Sequence, residues 1–460
     1  MTILIVLKRY GLPCLLGLSL GACSSFSADR GFTPVQQAAQ QHLGKELAWP
    51  QTEDEATRLQ QHVNELIKVP LDVEAAVQIA LLNNKGLQAS FYSLGISEAD
   101  LVQAGRLPNP RFRMLYARND GDYKIEQALT FNVFSLLIMP KAREIERQRF
   151  ELTQRMVSQE VFRLARETRN AYFRAVAADE AVRYMEQVKD AAQAGSDLAQ
   201  GMAKAGNWSK LEQAREQGFY ADAMLEYTRA KNQQTATHEH LMRLLSLTGE
   251  QGAVTLSERL PELPNTPQEL PDAEQTAMQQ RLDLQIIHAD TESLAKQLGL
   301  TKTTRFINVL EIGPARVLEG RRSEPYKKGV DISFELPLFD WGDARVARAE
   351  ARYMQAVNLA AQAAVNARSE VRQSYASYRA NYEVAKHYRD EIIPLRKRIA
   401  EENQLRYNGM LASVFELLAD ARAQIGSVNS YIEALRDFWL SESDLQMAMI
   451  GGTVPAKGEF

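Results

Sequence analysis

The amino-acid sequence predicts a mainly α-helical protein with a small β part, built from two tandem strand–strand–helical-hairpin repeats. Three observations carry this. Val157, Val161, Leu164, Thr168, Ala171, Ala175, Ala178, Val182 and Met185 recur at alternating spacings of four and three. That is the seam of a long helix that needs partner helices and supercoils left-handedly. Short runs such as Val330 to Leu336 alternate apolar and polar residues, the pattern of strands with two unlike faces. Finally, Phe131 and Phe334, Glu167 and Glu370, Arg169 and Arg372, Tyr172 and Tyr375, and Gly206 and Gly409 recur at the single offset of 203. Several identities at one offset, with the same order of elements, mark a duplication.

Composition and the N-terminus bound the function classes. Of 460 residues 45% are apolar, enough for buried structure, and 54 Lys+Arg stand against 58 Asp+Glu. That balance lacks the basic footprint of a nucleic-acid binder, so no nucleic-acid partner is expected. Lys8 and Arg9 precede an apolar run from Gly11 to Leu20, then Gly21-Ala22-Cys23 and the polar Ser24-Ser25. Residues 1–22 read as a secretory signal peptide, too short to span a membrane. Leu20-Gly21-Ala22-Cys23 resembles a bacterial lipobox, which implies cleavage before Cys23 and its lipidation, palmitate included. The alternative is ordinary cleavage that leaves Cys23 a free thiol. Pro13 stands where a small residue is needed before Cys14, so Cys14 competes poorly. Ser24 after the cysteine resembles lipoproteins sent to the outer membrane. Loss of the leader removes Cys14, leaving no partner for an intrachain disulfide, and takes the formal charge from −4 to −6.

The elements follow in order. Residues 23–70 are polar, with Pro34 and Pro50, and are expected to form an extended or lightly structured arm. The first repeat takes residues 71–250. Its opening helix runs from Leu71 to about Arg106 and is stopped by the prolines of "LPNP" at 107–110. Strands fall within about 110–136: Arg111 to Arg118 and Gln127 to Phe134, with the turn signal "RNDGDY" between them. A long helix is expected after Pro140; from about Lys141 to Lys204 it would measure about 95 Å. Ala205-Gly206-Asn207 interrupts it and a return helix runs from about Ser209 to Leu247. A Pro-rich linker over 251–271 contains "LPELPNTPQELP". The second repeat, 272–450, has a helix to about Leu300 and strands within about 305–338. A long helix follows, broken at Asn408-Gly409 and returning to about Ile450; residues 451–460 are a tail.

The strands carry the functional inference. Val330, Ile332, Phe334 and Leu336 face one way and Asp331, Ser333 and Glu335 the other. Each strand has about the length that crosses an outer membrane within a barrel. Four strands cannot close a barrel alone, and open edges cannot lie in lipid because their amides would lack partners. Membrane strands therefore demand several copies of the chain. Lipobox, duplicated strand–strand–hairpin units, "LPNP" and "PLFDWGDAR" together resemble the TolC-type outer-membrane efflux factors over nearly the whole mature chain. The resemblance implies a homotrimer whose twelve-stranded transmembrane β-barrel continues into a periplasmic α-helical barrel. Pro337 and Gly342 would bend the chain where barrel strand becomes tunnel helix. In the first copy "LLIMPKARE" replaces the Phe-Asp-x-Gly corner, so that junction is expected to differ in shape.

The resemblance also supplies candidate sites. The family's hairpin tips meet a periplasmic adaptor, which points to Ala205, Gly206, Asn207, Asn408, Gly409 and Met410; Gly206 and Gly409 would also serve the tight turn itself. Acidic residues past the second tip form a ring in the family. Glu416 and Asp420, four apart on one helix face, are the candidates for a periplasmic gate, against the reading of ordinary solvated acids. His238 and His240, two apart, diverge on a helix and read as a surface pair, not a metal site. No phosphate loop, nucleophile elbow or zinc spacing is present, so no catalytic residue, cofactor or metal is expected and an enzyme is the last reading.

These readings converge on a passive exit duct in the outer membrane, lipid-anchored and extending into the periplasm. It would work with a periplasmic adaptor and an inner-membrane pump in the export of small toxic compounds or metal ions. A type I protein secretion channel is the alternative within the same architecture. A periplasmic adaptor would show one hairpin between β-rich halves, and a structural coiled-coil lipoprotein would have no use for amphipathic strands.

Overall fold

The computed structural model describes residues 25–248, 254–306 and 309–451, with backbone alone at 414 and 415. Cys23, the leader and the tail beyond Gly451 lie outside the described residues. In chain order come α1 (Thr33–Leu43), α2 (Glu53–Leu66), α3 (Val73–Asn83) and α4 (Lys85–Ala104). Strands β1 (Arg111–Asn119) and β2 (Asp122–Asn132) lead into α5 (Val133–Lys204) and α6 (Lys210–Leu245). Then follow α7 (Ala273–Gln280), α8 (Leu282–Thr304), β3 (Leu310–Gly320) and β4 (Lys327–Phe334). The second hairpin comprises α9 (Asp343–His387), a π segment (Tyr388–Ile392), α10 (Ile393–Asn408) and α11 (Val414–Ile450). No helix among the described residues is long and apolar enough to cross a membrane.

The segment expected to be extended or lightly structured is corrected: it carries two helices, α1 and α2. Val35, Ala39 and Val63 are fully buried, and Thr52 accepts the Glu55 N–H as an N-cap. Three acids in the first turn of α2 suit the positive end of its dipole. A few apolar anchors among many glutamines suffice to dock such helices, and bulk polarity hides them.

Of the described residues, one compact unit holds 25–35, with Phe91–Val157 and Leu284–Ala364. Its centre is an antiparallel sheet in the order β1-β2-β3-β4. Asp120 and Gly121, at φ 42° and 94°, form the β1–β2 turn; two left-handed residues match the twist of the strands. The register places Phe112, Met114, Tyr116, Leu129, Phe131, Val330, Ile332 and Phe334 on one face, and all are exposed. The opposite face is polar: Arg111 pairs with Glu311 at 2.7 Å, Arg113 with Asp331, and Thr130 donates to Glu311. Strand bounds shift from those expected. β2 begins at Asp122 rather than Gln127, and β4 ends at Phe334, ahead of Pro337. β3 begins at Leu310 rather than Arg305, because α8 runs on to Thr304.

The two strand-to-helix junctions differ, as "LLIMPKARE" led one to expect. In the first, β2 passes directly into α5 before Pro140, not after it, and Asn132 Oδ1 accepts the Ser135 N–H at 2.8 Å. Pro140 inside the helix removes only one donor, the one owed to Leu136. In the second, Gly342 adopts φ 75° and its N–H reaches Asp340 at 2.7 Å. A Cβ there would stand 2.6 Å from the Arg305 carbonyl, so the corner requires glycine.

The other unit holds, of the described residues, Gln36–Ser90, Ser158–Asp283 and 365–451. The seam of α5 is buried from Val161 to Val182, and Phe162, Tyr172, Phe173 and Val176 widen it beyond the heptad stripe. The helix expected to run from Leu71 breaks at Asn84, where Asn83 and Asn84 donate to the last carbonyls of α6 and its cap. The helix expected from 272 breaks at Arg281. That guanidinium is fully buried against Asp283 and Glu370 at 2.7 and 2.6 Å and donates to the carbonyls of Ala367 and Ala448. The Pro-rich linker is strapped down: Tyr382, Arg389 and Trp439 donate to the carbonyls of Asn265, Leu263 and Pro261. The compact units cut across the two sequence halves, because strands from both halves pair in one sheet.

Candidate functional site

Each hairpin tip is built by a helix stop followed at once by a helix start. At the first tip, Asn207 N–H donates to the Met202 carbonyl at 2.9 Å and Gly206 N–H to Ala203 at 3.1 Å, with Gly206 at φ 78°. This pair of bonds closes a helix C-terminus around a left-handed residue. Ser209 then caps α6: its hydroxyl accepts the Glu212 N–H at 3.2 Å, and the Glu212 carboxylate accepts the Ser209 N–H at 2.6 Å. Two orphan amides are satisfied reciprocally.

The second tip repeats the device one residue later. Leu411 N–H donates to Arg406 at 2.7 Å and Met410 N–H to Tyr407 at 3.0 Å. The left-handed residue is Met410, at φ 58°; Gly409 sits at φ −85°. The expected turn role of Gly409 is therefore corrected: it belongs to Met410. Ser413 and Glu416 form the capping box, with distances of 3.2 and 3.1 Å. The tips thus correspond at an offset of 204, not 203. A π segment holds one residue more than the same length of α-helix, and Tyr388–Ile392 lies in the second hairpin only.

All six tip candidates, Ala205, Gly206, Asn207, Asn408, Gly409 and Met410, are exposed. Met410 is 94% exposed, and sequence reasoning missed its apolar neighbours Leu405 and Leu411, which are 65% and 74% exposed at the second tip. Together they form an exposed apolar patch at the chain reversal.

The two gate candidates lie on the same helix, α11, and each has its own partner. The Glu416 carboxylate is engaged in its capping box, and Asp420 accepts a hydrogen bond from Asn403 of α10. The acid that burial singles out is another, Glu216, which is 1% exposed. It lies one helical turn past Glu212, as Asp420 lies past Glu416. Both its oxygens accept from Arg422 Nη2, at 2.7 and 2.8 Å, and the guanidinium also stands 4.2 Å from the Phe219 ring centroid. Around this pair Val188, Ala192 and Ala223 form a small core with Tyr184, Phe219, Tyr220 and Ile425 against it. A helix of the second hairpin is thereby joined to the first by an ion pair and an apolar patch. The offset of 204 between Glu216 and Asp420 was the available signal.

His238 is no idle surface residue. Its Nε2 lies 2.8 Å from Asp179, tying α6 to α5, and the bond to Asp179 raises its pKa. Burial alone would raise the Asp179 pKa, but the bonds from His238 and Gln234 hold it below the usual value. No His/Cys/Asp/Glu group suited to a metal occurs among the described residues.

No protein-family model matches the chain, and no curated protein sequence matches it. Solved structures do. The CmeC outer membrane channel of Campylobacter jejuni is 16% identical over 90% of this chain and 91% of its own, with a TM-score of 0.69. A membrane protein from Pseudomonas aeruginosa is 16% identical over 83% and 93%, at 0.71. The open state of the Neisseria gonorrhoeae MtrE outer membrane channel is 15% identical over 83% and 89%, at 0.68. The fold is that of outer-membrane channels, as the resemblance read from the sequence implied.

Proposed function

We propose that the chain is a passive exit duct of the outer membrane, assembled as a homotrimer whose four-stranded sheets close one twelve-stranded barrel. The observation that carries this is the sheet register: an exposed apolar face backs a polar one, and β1 and β4 each have a partner on one side only. Water disfavours that face and lipid disfavours those edges, so membrane insertion needs edge-to-edge closure with further copies. The channel fold supports the same reading. Nothing in the described residues powers transport, so the duct would depend on an inner-membrane pump and a periplasmic adaptor. The tips, Ala205, Gly206 and Asn207 with Asn408, Gly409 and Met410, would meet the adaptor, helped by Leu405 and Leu411. The cargo class is small toxic compounds or metal ions, with protein secretion as the second use of the same duct. A Cys23 lipid would add an outer-membrane tether beside the barrel.

In this reading the periplasmic end is held shut by the Glu216–Arg422 pair, while Glu416 and Asp420 from three chains form an acidic constriction. Like charges around an axis favour cations. Single-channel recording in planar bilayers tests the proposal. The protein should insert and conduct with a cation preference, and Glu416→Ala with Asp420→Ala should reduce that preference and the block by multivalent cations. A protein that never conducts in bilayers would overturn the duct; an unchanged double variant would move the ring elsewhere.

A further inference from the structure

In the hairpin-side half of the sheet, away from the helices, the apolar face carries cations that have no carboxylate, level with Met114 and, for Arg118, beyond Tyr116. Arg316 and Lys328 are direct cross-strand partners on that face. Like charges opposed across a strand pair repel, and a low-dielectric surround strengthens the repulsion. Arg316 is braced from both sides: its Nε donates to Gln127 at 2.6 Å, and its guanidinium lies 4.8 Å from the Tyr326 ring centroid. Arg118, further toward the hairpin end on the same face, stands 5.4 Å from the Tyr123 ring centroid. None of these three cations forms an ion pair among the described residues. On the polar face, by contrast, Arg111, Arg113 and Lys124 each have one. Unpaired cations, two of them stacked on aromatic rings and all three set among apolar side chains, match one chemistry: an anion attached to acyl chains.

We infer that Arg316, Lys328 and Arg118 bind the phosphorylated headgroups of outer-leaflet lipid A. This rests on the membrane-barrel reading, which puts the hairpin ends of the strands at the outer leaflet. A phosphate bridging Arg316 and Lys328 would turn their repulsion into two charge-assisted contacts. The acyl chains would lie along Val330 and Ile332, which are 68% and 58% exposed just below.

The test uses the full chain in nanodiscs containing bisphosphorylated lipid A or its fully dephosphorylated form, with native mass spectrometry counting chains and retained lipid. The intact protein should retain the bisphosphorylated form preferentially. Arg316→Gln with Lys328→Gln should weaken that retention about thirtyfold, at about fivefold per charge, and leave the dephosphorylated form unaffected. Chain count is read from the same spectra: failure to form a multichain, bilayer-embedded species would bring down the barrel and this inference with it. Equal retention of both lipids by the intact protein, or equal retention of the bisphosphorylated lipid by a correctly assembled double variant, would overturn the inference and leave the barrel standing.

Discussion

Gly206 and Gly409 look interchangeable in the sequence, yet only the first occupies a left-handed position. Gly206→Ala should destabilise the first tip by about 1 kcal/mol, the cost of a Cβ in that region. Gly409→Ala should be harmless or stabilise by about 0.5 kcal/mol through the unfolded chain, since its nearest neighbours would lie 3.6 Å away. Met410→Gly should relieve about 1 kcal/mol of strain. Hydrogen exchange at the tip amides reads all three, and equal effects at Gly206 and Gly409 would contradict the assignment. Glu216 and Arg422 make the second residue-scale test. Arg422→Ala leaves a buried carboxylate without its cation and should cost about 2 kcal/mol, whereas replacing both by Leu should be nearly neutral. Hydrogen exchange in α6 and α11 distinguishes these; similar losses in single and double variants would mean that the pair matters only as packing. The glycine motif was legible at this scale, while the Ser-x-x-Glu capping boxes, present in the sequence, were passed over. Which residue turns left-handed was not, because one inserted residue upstream moves the stop without altering the local motif.

The two hairpins differ at the element scale by their π segment and by the His238–Asp179 tie. If Tyr388–Ile392 houses one surplus residue, deleting Glu391, which is exposed, should leave melting nearly unchanged. Deleting Glu401 in α10 should instead rotate every later residue by about 100° and unpack the hairpin. Circular-dichroism melting compares the two deletions, and equal damage from both would contradict the reading. His238 has a raised folded pKa, so its bond to Asp179 stabilises fully below the unfolded histidine value near 6.5 and fades as pH rises through the folded value. His238→Ala should therefore lower the melting temperature more at pH 5.5 than at pH 8.5. A pH-independent difference would assign His238 to packing alone. The strands, the long helices and both tips were legible from periodicity and turn residues. The breaks at Asn84 and Arg281 were not, since they depend on carbonyls and carboxylates distant in sequence. The docked helices of residues 33–66 escaped for a similar reason: their burial is decided by the surfaces they meet.

A duct is a property of the assembly, because no single chain closes a barrel. Among the described residues, the sheet leaves one side of β1 and of β4 without a strand partner, and apolar side chains on one face are exposed. In the proposed trimer three chains would give twelve strands, and the long hairpin helices, at 1.5 Å per residue, would give a periplasmic stalk of roughly 100 Å. The proposed lipidation is separable from this: Cys23→Ala should weaken membrane retention during cell fractionation without abolishing assembly, because the proposed barrel would be a second tether. Complete release of the variant into the soluble fraction would show instead that the lipid is the sole anchor. The number of chains in the membrane-extracted particle tests the central claim most directly. Native mass spectrometry in detergent should give three copies, with elongated particles in electron micrographs of the same sample. A monodisperse monomer, stable in buffer without detergent, would contradict the barrel and the duct together.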